Sequence, residues 1–229
     1  MENNARNKCQ RAPVLTRLPL RKPQGFTSLS VWSNSVVMSG TNGTRVLGLS
    51  EIESGSANWK TTHAGINGIS PDGRWLGIYR SFDRNLYVHR LPGLERVAKL
   101  AHPTSFGSFE FSPLGDEVAI GSLNTATRVE FWNTTTWERT RALTNFGRVL
   151  YTADARALWL TKDQRSAGLY DARTLEPLLL LPTGMLPLAL SQNGRYLAAS
   201  LDARYIQVWD LTEVRQQFRE LGLDWALKQ

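Results

Sequence analysis

The chain has 229 residues, 41% of them hydrophobic and 21% charged, with a net charge of +7. This is the composition of a globular protein long enough to bury a sizeable core, and no apolar run approaches the roughly eighteen residues that a membrane span needs. The single cysteine, Cys9, excludes an internal disulfide framework and fits a reducing, cytoplasmic setting.

The chain opens on a basic arm, residues 1–24. The first 25 residues carry Arg6, Lys8, Arg11, Arg17, Arg21 and Lys22 against one acid, Glu2, so +5 of the charge sits here and only +2 on the rest. No continuous apolar segment follows these bases, so no secretory signal is read. No aromatic residue stands among them before Phe26, so the stacking platform of a nucleic-acid binder is missing and nucleic-acid contact through the arm is disfavoured. Within the arm, PVLTRLPL (Pro13–Leu20) has the pattern of an outer strand.

From residue 25 onward the chain repeats itself. A turn followed by an apolar strand occurs as SVWSNSVVMS from Ser30, SPDGRWLGIY from Ser70, SPLGDEVAIG from Ser112, TADARALWLT from Thr152 and SQNGRYLAAS from Ser191, at intervals of 40, 42, 40 and 39 residues. A second strand follows each anchor: RVLGLS, LYVHRL, RVEFWN, GLYDAR and IQVWDL. After the first four of these comes a polar turn and a further short strand, and another strand leads into the next anchor. Four short strands per unit of about 40 residues predict an all-β fold, a β-propeller of four-stranded blades. About five blades are expected, near 25–64, 65–103, 104–144, 145–183 and 184–211. The fifth lacks an obvious outer strand. Pro13–Leu20 either pairs with it and closes a small ring, or belongs to a blade of a larger propeller; the second reading, with missing N-terminal blades or a further domain, is favoured.

With these repeats in view, the chain resembles WD40 repeat proteins over roughly residues 12–212. The resemblance implies a polar network in each blade, joining an Asx in a tight turn to a His, a Ser or Thr, and a Trp. The third unit matches best, with His102, Ser122, Asn124 and Trp132; the second offers His63, Ser81 and Asp83, with His89 in the Trp place. The fourth offers Thr161, Asp163 and Tyr170, the fifth Ser200, Asp202 and Trp209, and the first only Ser39 with Thr41 or Asn42. It also implies a partner-binding top face carrying the residue before each turn Asx: Phe82, Leu123, Lys162 and Leu201.

Residues 212–229 are read as a capping helix and tail. Asp210 suits the N-cap, with Glu213 three positions on, and Leu211, Val214, Phe218 and Leu221 form an apolar stripe. Gly222 ends the helix, with Leu223 folding back onto Phe218 in a Schellman ending. The stretch WDLTEVRQQFRELGLDW is similar to the ending of bacterial multidomain WD40 proteins, some of them kinase-linked, but no kinase signature occurs in the chain.

No catalytic residue, metal ligand set or cofactor site is read from the sequence. Three histidines and one cysteine show no metal-ligand spacing, and neither a nucleophile elbow nor a phosphate-binding loop is present. The expected function is a non-enzymatic scaffold that binds a protein or peptide on the propeller top face. The alternatives are a metal-assisted propeller hydrolase or lactonase, for which Asp83, Asp163 and Asp202 would have to gather near the axis, and nucleic-acid contact through the arm.

Overall fold

A computed structural model describes residues 26–223 apart from 33–34, 41–42, 49–59, 63–64, 81, 104–106 and 123–127. The basic arm, the Pro13–Leu20 segment and residues 224–229 lie outside the described residues. Nineteen strands and one helix are present among those described. The first sheet holds β1 (Phe26–Trp32), β2 (Ser35–Gly40), β3 (Gly43–Gly48) and β4 (Lys60–Thr62). The second holds β5 (Ile66–Ile69), β6 (Trp75–Arg80), β7 (Asn85–Arg90) and β8 (Glu95–Ala101). The third holds β9 (Gly107–Phe111), β10 (Glu117–Ser122), β11 (Arg128–Asn133) and β12 (Arg139–Thr144). The fourth holds β13 (Val149–Tyr151), β14 (Ala157–Thr161), β15 (Ala167–Asp171) and β16 (Pro177–Leu180). The last has three strands, β17 (Met185–Leu190), β18 (Tyr196–Leu201) and β19 (Tyr205–Asp210), followed by helix α1 (Leu211–Glu220).

Within each sheet the strands pair antiparallel in chain order, the meander expected of a propeller blade. The blade count differs from the sequence reading: among the described residues four complete blades form, not about five. The fifth unit has its anchor turn and three strands, but the chain leaves β19 through Asp210 directly into α1, so this unit makes no outer strand of its own.

Core residues lie between successive sheets. Val37 and Val46 meet Leu76 and Ile78 between the first two, and Tyr79, Leu86 and Val88 meet Phe111, Val118 and Ile120 between the second and third. Ala119, Val129 and Phe131 meet Tyr151, Leu158 and Leu160 in the next gap, and Trp159 and Leu169 meet Leu197 and Ala199 in the last. Strands β6, β10 and β14 are thus covered on both faces, which is why they read as nearly continuous apolar runs. On β19, by contrast, Tyr205, Ile206 and Val208 are 67%, 71% and 66% exposed.

The turn that opens each of β6, β14 and β18 is built by one device. The hydroxyls of Ser70, Thr152 and Ser191 donate to Asp72, Asp154 and Asn193 at 2.6, 2.7 and 2.7 Å, and each hydroxyl oxygen accepts the backbone N–H five residues after it. The fourth residue of the turn takes a left-handed conformation: Gly73, Gly115 and Gly194 at φ +71°, +73° and +70°, and Ala155 at 56°.

Helix α1 is capped as its sequence predicts. The Asp210 carboxylate accepts from Thr212 N–H at 3.0 Å, and at the far end Leu223 N–H donates to Phe218 C=O at 2.8 Å across Gly222, which has φ +71°. Leu211, Val214 and Phe218 are half-buried, while Leu221 of the expected stripe is 72% exposed. No helix among the described residues is long and apolar enough to cross a membrane.

Candidate functional site

The β6–β7 turn of the second blade carries an exposed aromatic held by an organised set of contacts. Asp83 accepts the Asn85 N–H at 3.3 Å and the Tyr87 hydroxyl at 2.8 Å, and the Arg80 guanidinium approaches it at 3.5 Å. Arg84, left-handed at φ 58°, completes the reversal and donates to Pro103 C=O. Phe82 is therefore presented at the tip, 75% exposed, with the Arg80 guanidinium 4.2 Å from its ring centroid. Arg80 also lies 5.4 Å from the Tyr87 ring, which Arg96 and Lys99 of β8 approach at 5.9 and 6.0 Å. One buried tyrosine thus gathers three cations, one of which, Arg80, also lies over the exposed phenylalanine.

These contacts set the local titration. Burial alone would raise the Asp83 carboxyl, but the hydrogen bonds from Tyr87 and Asn85 and the Arg80 charge outweigh it and hold the group below its ordinary value. The Tyr87 phenol is raised, first by burial and then by its bond to Asp83. Asp83 stays ionised and anchors the turn.

The equivalent turns of the fourth and fifth units are organised differently. Lys162 is exposed, with its ammonium 5.9 Å from the Tyr170 ring, and its N–H donates to Ser166 C=O at 2.8 Å. Asp163 accepts Arg165 N–H at 2.7 Å, the chief reason its carboxyl sits low. Asp202 and Ala203 are both left-handed, at φ 50° and 56°. Leu201 is half-buried and packs into the core between the fourth and fifth sheets, so of the three top-face candidates among the described residues Phe82 and Lys162 are the exposed ones. Leu123 lies outside the described residues, as do His63, Ser81 and Asn124.

The other residues of the blade networks are placed as follows. His102 and Ser122 are buried, and His102 N–H donates to Arg84 C=O at 2.9 Å, tying the second blade's turn to the strand leading into the third. Thr161 is buried, and its hydroxyl oxygen accepts Arg148 N–H at 2.8 Å. His89 Nδ1 lies 3.1 Å from Leu94 C=O. Trp209 donates its indole N–H to Gln207 at 3.2 Å, whereas the Trp132 indole N–H and the Tyr170 hydroxyl have no hydrogen-bond partner among the described residues. Ser200 is half-buried on β18. The Asx residues act on their own turns: Asp83, Asp163 and Asp202 stand in three separate blades and form no common cluster. Among the described residues no group of three or more His, Cys, Asp and Glu could hold a metal ion.

The cation set around Tyr87 was not legible in the sequence, because Arg80, Arg96 and Lys99 become neighbours only through strand register. Arg80 pairs with Asn85, Tyr87 with Lys99, and His89 with Arg96. A second buried charge group was missed for the same reason: Glu130, 2% exposed, lies 2.9 Å from Arg128 and 2.8 Å from Arg139 on its own sheet. Compared with protein-family models and with curated proteins, the chain gives no match.

Proposed function

We propose that this chain is a WD40-type, non-catalytic interaction scaffold of the cytoplasm that holds a protein or peptide on the face formed by the β6–β7 turn and its equivalents. The observation that carries the reading is Phe82. A large apolar ring held three-quarters exposed by a guanidinium stacked on it loses little conformational freedom when a partner covers it. Exposed aromatics beside arginines are also the residue types that dominate protein interfaces. Lys162, exposed on the equivalent turn of the fourth blade, adds a charge that selects and orients a partner.

The test replaces Phe82 with Glu and Lys162 with Glu, singly and together, and compares proximity labelling of neighbours in the native host with that of the unchanged chain. Neighbours should be lost with Phe82→Glu while the thermal unfolding midpoint stays within about 2 °C, since a surface change away from the core costs little. An unchanged set of neighbours with the double variant overturns the assignment of this face.

A further inference from the structure

Strand β19 ends the last sheet with no outer strand beside it among the described residues, and its backbone is open along that edge. Leu211 N–H donates to Arg195 C=O at 2.8 Å, in the same register that pairs Leu197 with Trp209 and Ala199 with Gln207. Antiparallel pairs alternate between bonded and unbonded. Tyr205, Gln207 and Trp209 therefore turn their backbone groups to β18, and Ile206, Val208 and Asp210 turn theirs outward. In the fourth blade the equivalent outward groups are in use: Leu181 N–H donates to Ala167 C=O at 2.9 Å, and Asp171 N–H donates to Glu176 C=O at 3.0 Å.

Native sheets guard an exposed edge with charges, proline or bulges. Each of the four outer strands carries such a guard: Lys60 in β4, Arg96 and Lys99 in β8, Arg139 and Arg141 in β12, and Pro177 in β16. The ladders that join β8, β12 and β16 to their blades also shift register. Strand β19 has neither device. It reads Tyr-Ile-Gln-Val-Trp from 205 to 209, pairs with β18 without a shift, and leaves Tyr205, Ile206 and Val208 exposed. Helix α1 does not cover it, since Leu211 packs against the core between the fourth and fifth sheets.

The edge is also the same in kind read from either end. About Gln207 stand two β-branched residues, Ile206 and Val208, then two aromatics, Tyr205 and Trp209, then opposite charges, Arg204 and Asp210. We propose that β19 pairs antiparallel with β19 of a second copy of this chain, about a two-fold axis at Gln207. In that register Ile206 exchanges both backbone hydrogen bonds with the partner's Val208, and Val208 does the same with the partner's Ile206, so outward groups meet outward groups. Ile206 lies beside the partner's Val208 on one face of the joined sheet, and Tyr205 beside the partner's Trp209 on the other. Arg204, exposed and without an ion-pair partner among the described residues, faces the partner's Asp210, a carboxylate shared with Arg195. A shift of one residue sets outward groups against groups committed to β18, and a shift of two separates the like pairs and the charges. The contact is isologous and closes at two copies. It does not rest on the Phe82 face, so either reading can fail without the other.

The test is sedimentation velocity on the full chain from about 2 to about 200 µM, a range that reveals weak association, with amide hydrogen exchange of Val208 at the same concentrations. Dimer should form, and the Val208 amide should gain protection, as concentration rises. Val208→Lys puts a charge on the edge at an exposed position; it should weaken association at least about tenfold and leave the unfolding midpoint at about 2 µM unchanged. Register is read from disulfide formation in a glutathione redox buffer, in a Cys9→Ser background. At the axis the two Gln207 Cα atoms stand about 4.5 Å apart, within the roughly 4.4–6.8 Å that a disulfide spans, so Gln207→Cys should cross-link. Tyr205→Cys should not, since two copies of that position lie about 13 Å apart. A chain that stays monomeric at about 200 µM overturns the proposal, as does a Tyr205→Cys variant that cross-links as readily as Gln207→Cys. Val208 protection that is equal at every concentration overturns it too, and is the result expected if Pro13–Leu20 of the same chain fills the edge.

Discussion

The second and third blades interlock through reciprocal large and small residues, and this makes a sharp prediction. Phe109 of β9 lies over Gly68 and Gly77 of the neighbouring sheet, while Tyr79 of that sheet fills the space over Gly107. A Cβ added at Gly77 would stand 2.5 and 2.8 Å from two ring carbons of Phe109 and 3.2 Å from Leu86 Cδ1, well inside van der Waals contact. The half-buried ring also packs edge-on against Phe111, with centroids 5.9 Å apart, so its retreat would disturb a second packed ring. Gly77→Ala should therefore carry an overpacking cost of roughly 2–3 kcal/mol. Replacing a strand glycine by alanine returns about 0.5–1 kcal/mol in backbone entropy, so the net loss is about 1–2 kcal/mol. For a chain of this size that lowers the unfolding midpoint by very roughly 2–8 °C. Urea and thermal unfolding would be measured on Gly77→Ala, Phe109→Leu and the double variant, with Gly93→Ala as control, because no atom of the described residues lies within 4 Å of a Cβ at Gly93. Phe109→Leu alone removes packed ring carbons and costs about 1–2 kcal/mol, but in the double variant the freed space admits the new methyl, so the combined loss should fall short of the sum by at least about 0.5 kcal/mol. Additive losses, or a Gly77→Ala variant as stable as the parent, would refute the interlock.

Two further outcomes follow from buried charges. Burial pushes the Glu110 carboxyl up to about 7, with Arg148 opposing, although part of the residue's surface reaches solvent. The folded chain thus holds a proton that the unfolded chain releases near 4.5, so this group makes stability fall as pH rises from about 4.5 to about 7 and adds no further change above that. Glu110→Gln should be more stable than the parent by roughly 1–3 kcal/mol at high pH and equal to it at pH values below the unfolded pKa; a gain of the same size at both ends would show that charge is not the cause. Tyr151 donates its hydroxyl to Glu117 at 2.9 Å, and Arg141 joins Glu117 to Ala172 C=O, so the third and fourth blades are tied together by one polar chain. Tyr151→Phe should cost about 1–2 kcal/mol, and part of that loss should disappear in a Glu117→Gln background, where the acceptor is a neutral amide oxygen.

The parts of this fold legible in the sequence are those governed by local chemistry. Ser70, Thr152 and Ser191, each with an Asx two residues on and a left-handed residue after that, marked the anchor turns because hydroxyl, Asx and backbone satisfy one another within six residues. The apolar runs of β6, β10 and β14 announced strands covered on both faces. What stayed hidden depends on contacts across strands or between blades: the cations around Tyr87, the pairing of Phe109 with Gly77, and the half-burial of Leu201, whose place before a turn Asx says nothing of the blade beside it. The Trp strand leads to the expectation of a side-chain network, yet the Trp132 indole N–H has no partner among the described residues; Asn133, the residue after it, carries the hydrogen bonds.

That last residue also explains why the fifth unit stops at three strands. In the third and fourth blades the third strand ends on Asn133 or Asp171, whose Oδ1 accepts the N–H groups two and three residues later at 2.7–2.9 Å. The turn closes when the fourth residue on, Trp137 or Leu175, adopts φ 59° and donates its N–H back to the Asx carbonyl, sending the chain into the outer strand. In the second blade Leu94 does the same at φ 61° after Arg90. Asp210 begins identically, accepting Thr212 N–H at 3.0 Å, and Leu211 N–H donates to Arg195 C=O just as Ala172 N–H donates to Arg156 C=O. The fourth residue on is Val214. A β-branched side chain is strongly disfavoured in the left-handed region that Leu94, Trp137 and Leu175 occupy. With that reversal closed to it and Glu, Arg and Gln following, the chain keeps right-handed dihedrals and propagates as α1. One Asx position thus opens a hairpin turn at Asn133 and Asp171, where the fourth residue on accepts a left-handed conformation, and a helix at Asp210, where Val214 does not.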